Sequence, residues 1–219
     1  MYNKKFPIVG INNGDNIQGN DGKFFGLWTH DLQEQADIAA QLFKPKRDKC
    51  VRWYSTRGTE RHVGGMGRWD EYIAKELGSD TTWGTFSTYH LEVEISGVSF
   101  NVAHHGIRSG KYLHTMENQA RTFAKDICLR KLSRRERPPD VIVASHVHQK
   151  IHEVVNIYDH KCHVIVTPSF QAKSEFAHKV LRQEDLSDIG LAFLEIENGK
   201  ILDIDFDCMR LPSTRRVIA

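Results

Sequence analysis

"VIVASHVHQK", residues 141–150, sets two imidazoles one residue apart directly behind a run of Val141, Ile142, Val143 and Ala144. The apolar run reads as a strand that vanishes into a core. In an extended chain, positions 146 and 148 point the same way, so His146 and His148 would leave that core on one side. Standing alone, such a pair is as often a polar loop as a pair of ligands. The surrounding chain has to settle which it is.

Upstream, "FPIVGIN" (6–12) is another short apolar run, emptying into the Gly-rich "NGDNIQGNDG" that carries Asp15. "HDLQEQADIAAQLF" then places Leu32, Ala36, Ala39, Ala40 and Phe43 on one helical face, with Pro45 expected to stop the helix. "CVRWYST" (50–56) is a second strand, and it opens into the loop "RGTERHVGGMG" with Glu60 and His62. A helix over 68–77, a strand and hairpin region "WGTFSTYHLEVEISG" and the strand "VSFNVA" lead to "HHGIRSG", with His104 and His105. The helix "TMENQARTFAKDICLRKL" delivers the chain to residue 141. Beyond 150, "KIHEVVNIY", "HVIVTPS" and "GLAFLEIENGKILDIDF" read as strands, the last folded at an Asn198/Gly199 turn.

Strands alternating with helices predict an α/β sheet covered by helices, and ligands in such sheets gather where strand carboxyl ends meet their loops. Asp15, Glu60, His62, His104, His105, His146 and His148 all fall in such loops. Imidazole with carboxylate is a donor set for a divalent ion, since neutral imidazole suits Zn, Fe or Ni and carboxylate suits Mn or Mg. Taken singly, Asp15 is a turn aspartate and the 104/105 pair is ordinary surface histidine. Only the constellation points to a metal.

Composition narrows the classes. At 219 residues and 40% hydrophobic, the chain can bury one good core, and it is read as a single domain, 1–219. A formal net charge of +2 does not call for nucleic acid or a membrane surface. The basic stretch "LRKLSRRER" could guide a nucleic-acid backbone, although a cationic helix end complementing the dipole is the more frequent explanation. Cys50, Cys128, Cys162 and Cys208 are widely spaced with no CxxC pair, which fits a reducing, cytoplasmic setting rather than a disulfide framework. No stretch reaches the ~18 apolar residues of a membrane span. Oligomeric state is not legible.

In their order, "NGDNIQG", "RGTERHVG", "VAHHG" and "ASHVH", each after a strand, resemble the calcineurin-like metallophosphoesterase family over about residues 6–170. The resemblance implies a four-layer α/β/β/α sandwich, truncated at the N-terminus, with up to two divalent ions (Mn, Fe or Zn) about 3.5–4 Å apart, hydrolysing a phosphate mono- or diester. It also implies roles. Asp15 would bridge the ions, His105 (rather than His104) and His146 would bind the second, and His148 the first. Two departures stand out. Thr59 and Glu60 occupy the places of the family's Asn and His, so Glu60 becomes the substitute ligand and His62 the proton donor to the leaving oxygen. The family's Asp-x-His before Asp15 is absent, so the chain is expected either to begin late or to have a depleted first metal site.

Two other readings are carried. "HVHQKIHE" fits a cupin-type metal enzyme with His146, His148 and Glu153 as ligands, but cupins are all-β barrels and the segment 115–132 is strongly helical. A catalytically impaired phosphoesterase-like subunit that binds partners is the second.

Overall fold

The structure is a computed structural model and describes residues 6–20, 27–107, 113–171 and 188–210. The chain forms two compact units that divide after Leu91.

In the first unit, β1 (Val9–Asn13) and β2 (Arg52–Thr56) pair in parallel, Val9 opposite Arg52 and Asn13 opposite Thr56. Parallel neighbours need a crossover, and α1 (Leu32–Arg47) supplies it. It starts at Asp31, whose carboxylate accepts from the amides of Gln33 and Glu34, a cap worth about 1 kcal/mol. Ala36 and Ala39 are buried with Leu32, Ala40 and Phe43 packed beside them, which is the face expected from the spacing. The helix does not stop at Pro45. It runs on to Arg47, because a proline this close to the end forfeits a single hydrogen bond, to the carbonyl of Gln41, whose side is exposed to water.

"RGTERHVGGMG", expected as a plain loop, contains the one-turn helix α2 (Glu60–Val63) and a tight turn at Gly65–Gly67 before α3 (Arg68–Glu76). Ile17, Ala36, Ala39, Trp53, Val63, Ile73 and Leu77 form this unit's core.

The second unit is built on a mixed sheet of five strands: β3 (His90–Ile95), β4 (Val98–Ala103), β5 (Val141–Ala144), β6 (Ile151–Ile157) and β7 (His160–Val166), in the order β3-β4-β5-β7-β6. β5 lies in the middle with parallel neighbours on both sides, Phe100 opposite Val141 on one and Val141 opposite His163 on the other. All four of its residues are buried, which is why the segment carries no polar alternation. The crossover between β4 and β5 is α4 (Leu113–Ser133). Its Met116, Ala120, Ala124 and Cys128, four residues apart each time, press a narrow stripe onto Ile142, Val155, Val164 and their neighbours.

β8 (Asp188–Glu197) and β9 (Lys200–Arg210) make an antiparallel hairpin. Asn198 and Gly199 both have positive φ, +50° and +74°, so the expected turn is of the I′ kind.

Each unit therefore combines helices with parallel strands, as α/β reading requires, and the described residues do not form a cupin's all-β barrel. The four cysteines are free. Among the described residues no helix is long and apolar enough to cross a membrane.

Candidate metal centre

β4 and β5 run in parallel, so their carboxyl ends finish at the same edge of the sheet, and the amide of Ser145 donates to the carbonyl of His104 at 3.0 Å. That bond brings His104 and His105, just after β4, to His146, just after β5. The ring centroids of the three stand 5.0, 5.4 and 4.7 Å apart. One nitrogen from each ring lies within 4.8 Å of the others. His104 is buried and His105 exposed, so the trio has a closed side and an open one. Three imidazoles could therefore hold one divalent ion.

His146 does not sit on an extended strand. β5 ends at Ala144, and the amide of Val147 donates back to the carbonyl of Ser145 at 3.0 Å, closing a three-residue γ-turn around His146 at φ +75°. A non-glycine residue in that turn is strained, and strain of this kind persists where its surroundings hold it. Here Val147 does the holding. It is 6% exposed and belongs to the core under α4, so the chain tucks in between the two histidines and throws both outward.

His148 also has positive φ, +56°, and is not in the trio. Its carbonyl accepts from the amide of Asp188, whose buried carboxylate in turn accepts from the amide of Lys150 at 2.8 Å. Asp188, at the start of β8, thus pins the whole 148–150 turn. Sequence reading passed over it.

In the first unit, Asp15 leads a second polar arrangement. Its Oδ1 accepts from the amide of Thr59 at 2.5 Å and its Oδ2 from the Thr59 hydroxyl at 3.0 Å. Thr59 stands at the N-cap of α2 yet makes no side-chain cap, because its hydroxyl is spent on Asp15. Glu60 follows on the exposed side of the turn. His62 gives its Nδ1 to the carbonyl of Gln18 at 2.8 Å, and since a carbonyl only accepts, that nitrogen carries the proton.

The loops of Asp15 and Thr59 meet on glycine: a Cβ on Gly58 would collide with the backbone nitrogen and carboxylate of Asp15, and one on Gly14, at φ +75°, with the backbone of Gly58. Beneath them lies Asp70, 1% exposed. Its Oδ2 accepts from the amides of Gly58 at 2.7 Å and Asp15 at 3.2 Å. Its Oδ1 accepts from the amide and side-chain amide of Asn16, at 3.2 and 2.6 Å. Burial pushes the Asp70 carboxyl above its ordinary range, against the opposing pull of Gly58 and Asn16.

Buried Gln35 on α1 does similar work one step along the chain, accepting from the amides of Gln18 and Gly19 and donating to the carbonyls of Gly19 and Thr29. Neither residue was singled out from sequence. The signal was present, for Asp70, Ile73, Ala74 and Leu77 follow i, i+3, i+4, i+7, which sets a carboxylate on an apolar stripe.

Glu153, a ligand in the cupin reading, lies on β6 and is ion-paired to Arg121 of α4 at 2.7 Å. The structure thus brings His104, His105 and His146 together and ties Asp15 to Thr59. It does not place His148 in the imidazole trio.

No family model and no curated protein matches the chain. Among solved structures, it is similar to an archaeal phosphodiesterase at 12% identity and a TM-score of 0.41, over 90% of this chain and 98% of that one. It is also similar to a Thermotoga maritima protein solved in solution by NMR, at 13% identity and a TM-score of 0.39, over 94% and 100%.

Proposed function

We propose that this chain is a metal-dependent phosphoesterase, acting on a phosphate mono- or diester, whose His104, His105 and His146 hold a divalent ion. The single observation that supports it is the convergence of three imidazoles at the shared end of two parallel strands. The order of the loop motifs, and through it the metallophosphoesterase sandwich, supplies the reaction class. A divalent ion bound there supplies positive charge to phosphoryl oxygens and lowers the pKa of a coordinated water.

The rest falls to the chain's own groups. His104 anchors the trio from its buried position, while exposed His105 and His146 present the open side. His62, whose Nδ1–H is held by the carbonyl of Gln18, is the proposed acid, protonating a leaving oxygen as the imidazolium. Asp15, Glu60 and His148 remain ligands proposed from sequence, Mn, Fe or Zn the proposed metals, and cytoplasm the proposed compartment. A second ion would make the chemistry a two-metal hydrolysis.

Native mass spectrometry after loading with Mn, paired with hydrolysis of bis-nitrophenyl phosphate, tests the proposal. His105→Ala and His146→Ala should each lose an ion and most of the turnover while keeping the parent's circular dichroism. Variants that bind Mn as the parent does would overturn the trio. A parent that binds Mn but hydrolyses no phosphate ester would make the chain a metal-binding subunit instead. Asp15→Asn, Glu60→Gln and His148→Ala, counted the same way, test the further ligands one at a time.

A further inference from the structure

The hairpin of β8 and β9 leaves one long strand edge open. β9 pairs with β8 from Lys200 to Arg210, passing over Leu202 at a bulge, and among the described residues no strand pairs with its far side. The outer side of β8 is different, for there the amide of Ser169 donates to the carbonyl of Asp188 and the amide of Gly190 to that of Ser169, both at 3.0 Å. In an antiparallel pair, alternate residues turn their backbone groups away from the partner strand. On β9 these include Ile204 and Phe206, and the strand's own side chains meet their amides. Asp203 Oδ1 accepts from the amide of Ile204 at 2.9 Å, and Asp205 Oδ1 from the amide of Phe206 at 2.7 Å.

The two faces of β9 carry opposite chemistry. Asp203, Asp205 and Asp207, spaced two residues apart, line one face, and all three are exposed. Among the described residues none of them has an ion-pair partner. Ile204 and Phe206 lie half-buried on the other face, where Lys150 Nζ stands 5.8 Å from the centre of the Phe206 ring.

We propose that the free edge of β9 is a strand-pairing surface for a second copy of this chain, held closed by Asp203 and Asp205. The edge is self-complementary. In an antiparallel pairing of β9 with itself, outward-facing residues have to meet outward-facing residues, so Ile204 and Phe206 of one copy oppose the same two positions of the other. That would join the two apolar columns. The same period of two sets aspartate against aspartate in each register that matches these positions, and like charges directly opposite are destabilising. The amides an incoming strand would use are also already bonded to carboxylates. A long edge with an apolar column is a template for pairing with another chain, and charge on the edge is what blunts it.

Sedimentation velocity on the full chain, paired with hydrogen exchange read at the amides of Ile204 and Phe206, tests the surface. Asp203→Ala combined with Asp205→Ala should dimerise with a dissociation constant about tenfold or more below the parent's, and protection at the two amides should rise with protein concentration. Asp203→Lys combined with Asp205→Lys and Asp207→Lys frees the amides but keeps like charge against like, and should sediment as the parent does. If the alanine variant does not give the parent's circular dichroism, Asp203→Asn with Asp205→Asn, which keeps an acceptor beside each amide and removes only the charge, should dimerise more tightly than the parent. Uncharged variants that sediment as the parent does, or that associate without protecting Ile204 and Phe206, would overturn the proposal. So would a lysine variant that dimerises as the alanine one does.

Discussion

Replacing Asp70 by Asn changes one atom and keeps the shape, so it isolates what the carboxylate does. All four hydrogens that reach Asp70 come from donors: the amides of Asp15, Asn16 and Gly58, and the side-chain amide of Asn16. An amide offers only one acceptor atom. The best orientation keeps its oxygen toward Gly58 and Asp15 and turns its NH2 toward Asn16, whose own side chain can flip to accept. The backbone N–H of Asn16 is then left without an acceptor, at about 1–3 kcal/mol. The two surviving bonds fall from charge-assisted to neutral, about 1 kcal/mol each. Against this stands relief from holding a buried charge, the same burial that raises the carboxyl's pKa.

The expected net loss is about 2–3 kcal/mol for Asp70→Asn. Asp70→Ala orphans every donor, so it should lose about 3–5 kcal/mol. Urea denaturation followed by tryptophan fluorescence reads it through Trp53, buried in the core of the same unit, and Trp69, packed against that core. With an m-value near 1–3 kcal/mol/M, the Asn variant should shift the midpoint by about 0.7–3 M. An Asn variant as stable as the parent would refute the clamp, because it would mean that the cost of burying the charge equals everything the four donors return.

Gly58→Ala should be worse than an ordinary surface change, about 1–3 kcal/mol, because the new Cβ meets the backbone of Asp15 rather than a flexible side chain; thermal melting checks it. Burial pushes the Glu71 carboxyl up, but the Ser87 hydroxyl and amide, the Phe86 amide and Arg57 together hold it below its ordinary value. A depressed pKa contributes stability above the unfolded value of about 4.3 and loses it as pH falls through the folded value. Parent and Glu71→Gln should therefore differ at neutral pH and draw together in urea melts as pH falls below the unfolded value, and a gap that stays constant through the acid range would contradict the sign. His62→Ala should slow alkyl phosphodiesters far more than nitrophenyl ones, since a good leaving group needs little protonation; equal losses on both would remove the acid role.

What could be read from sequence and what could not divides along a physical line. Val141–Ala144 was legible because a strand with parallel neighbours on both sides admits only apolar residues, and the alanine and cysteine stripe of α4 because a crossover helix must lie flat on that sheet. Pro45 misled, since the rule that proline ends helices describes interiors, and near a C-terminus the cost is one exposed hydrogen bond. His146 was found for a reason that does not hold in the fold: the period of an extended strand predicted its direction, whereas a γ-turn sets it, with buried Val147 as the lever. The same turn explains why His104 joins the trio beside His105. The backbone bond from Ser145 to His104 ties the two strand ends together at that residue, and no spacing in the chain announces a hydrogen bond between positions 41 residues apart.

Asp70, Gln35 and Asp188 were missed for a common reason. They accept from or donate to backbone groups of distant loops, so their partners carry no side-chain signature, and the trace left in sequence is a polar residue where an apolar one would pack. Such residues show where loop shape has to be enforced against the loop's own preferences. Asp15 at φ +53° and His146 at φ +75° are non-glycine residues in left-handed conformations, and in each case a buried group keeps them there: the carboxylate of Asp70 for one, the side chain of Val147 for the other. Conformations that cost about 1–3 kcal/mol each persist only when the surrounding structure over-determines them. Both occur at residues that the proposed chemistry would use.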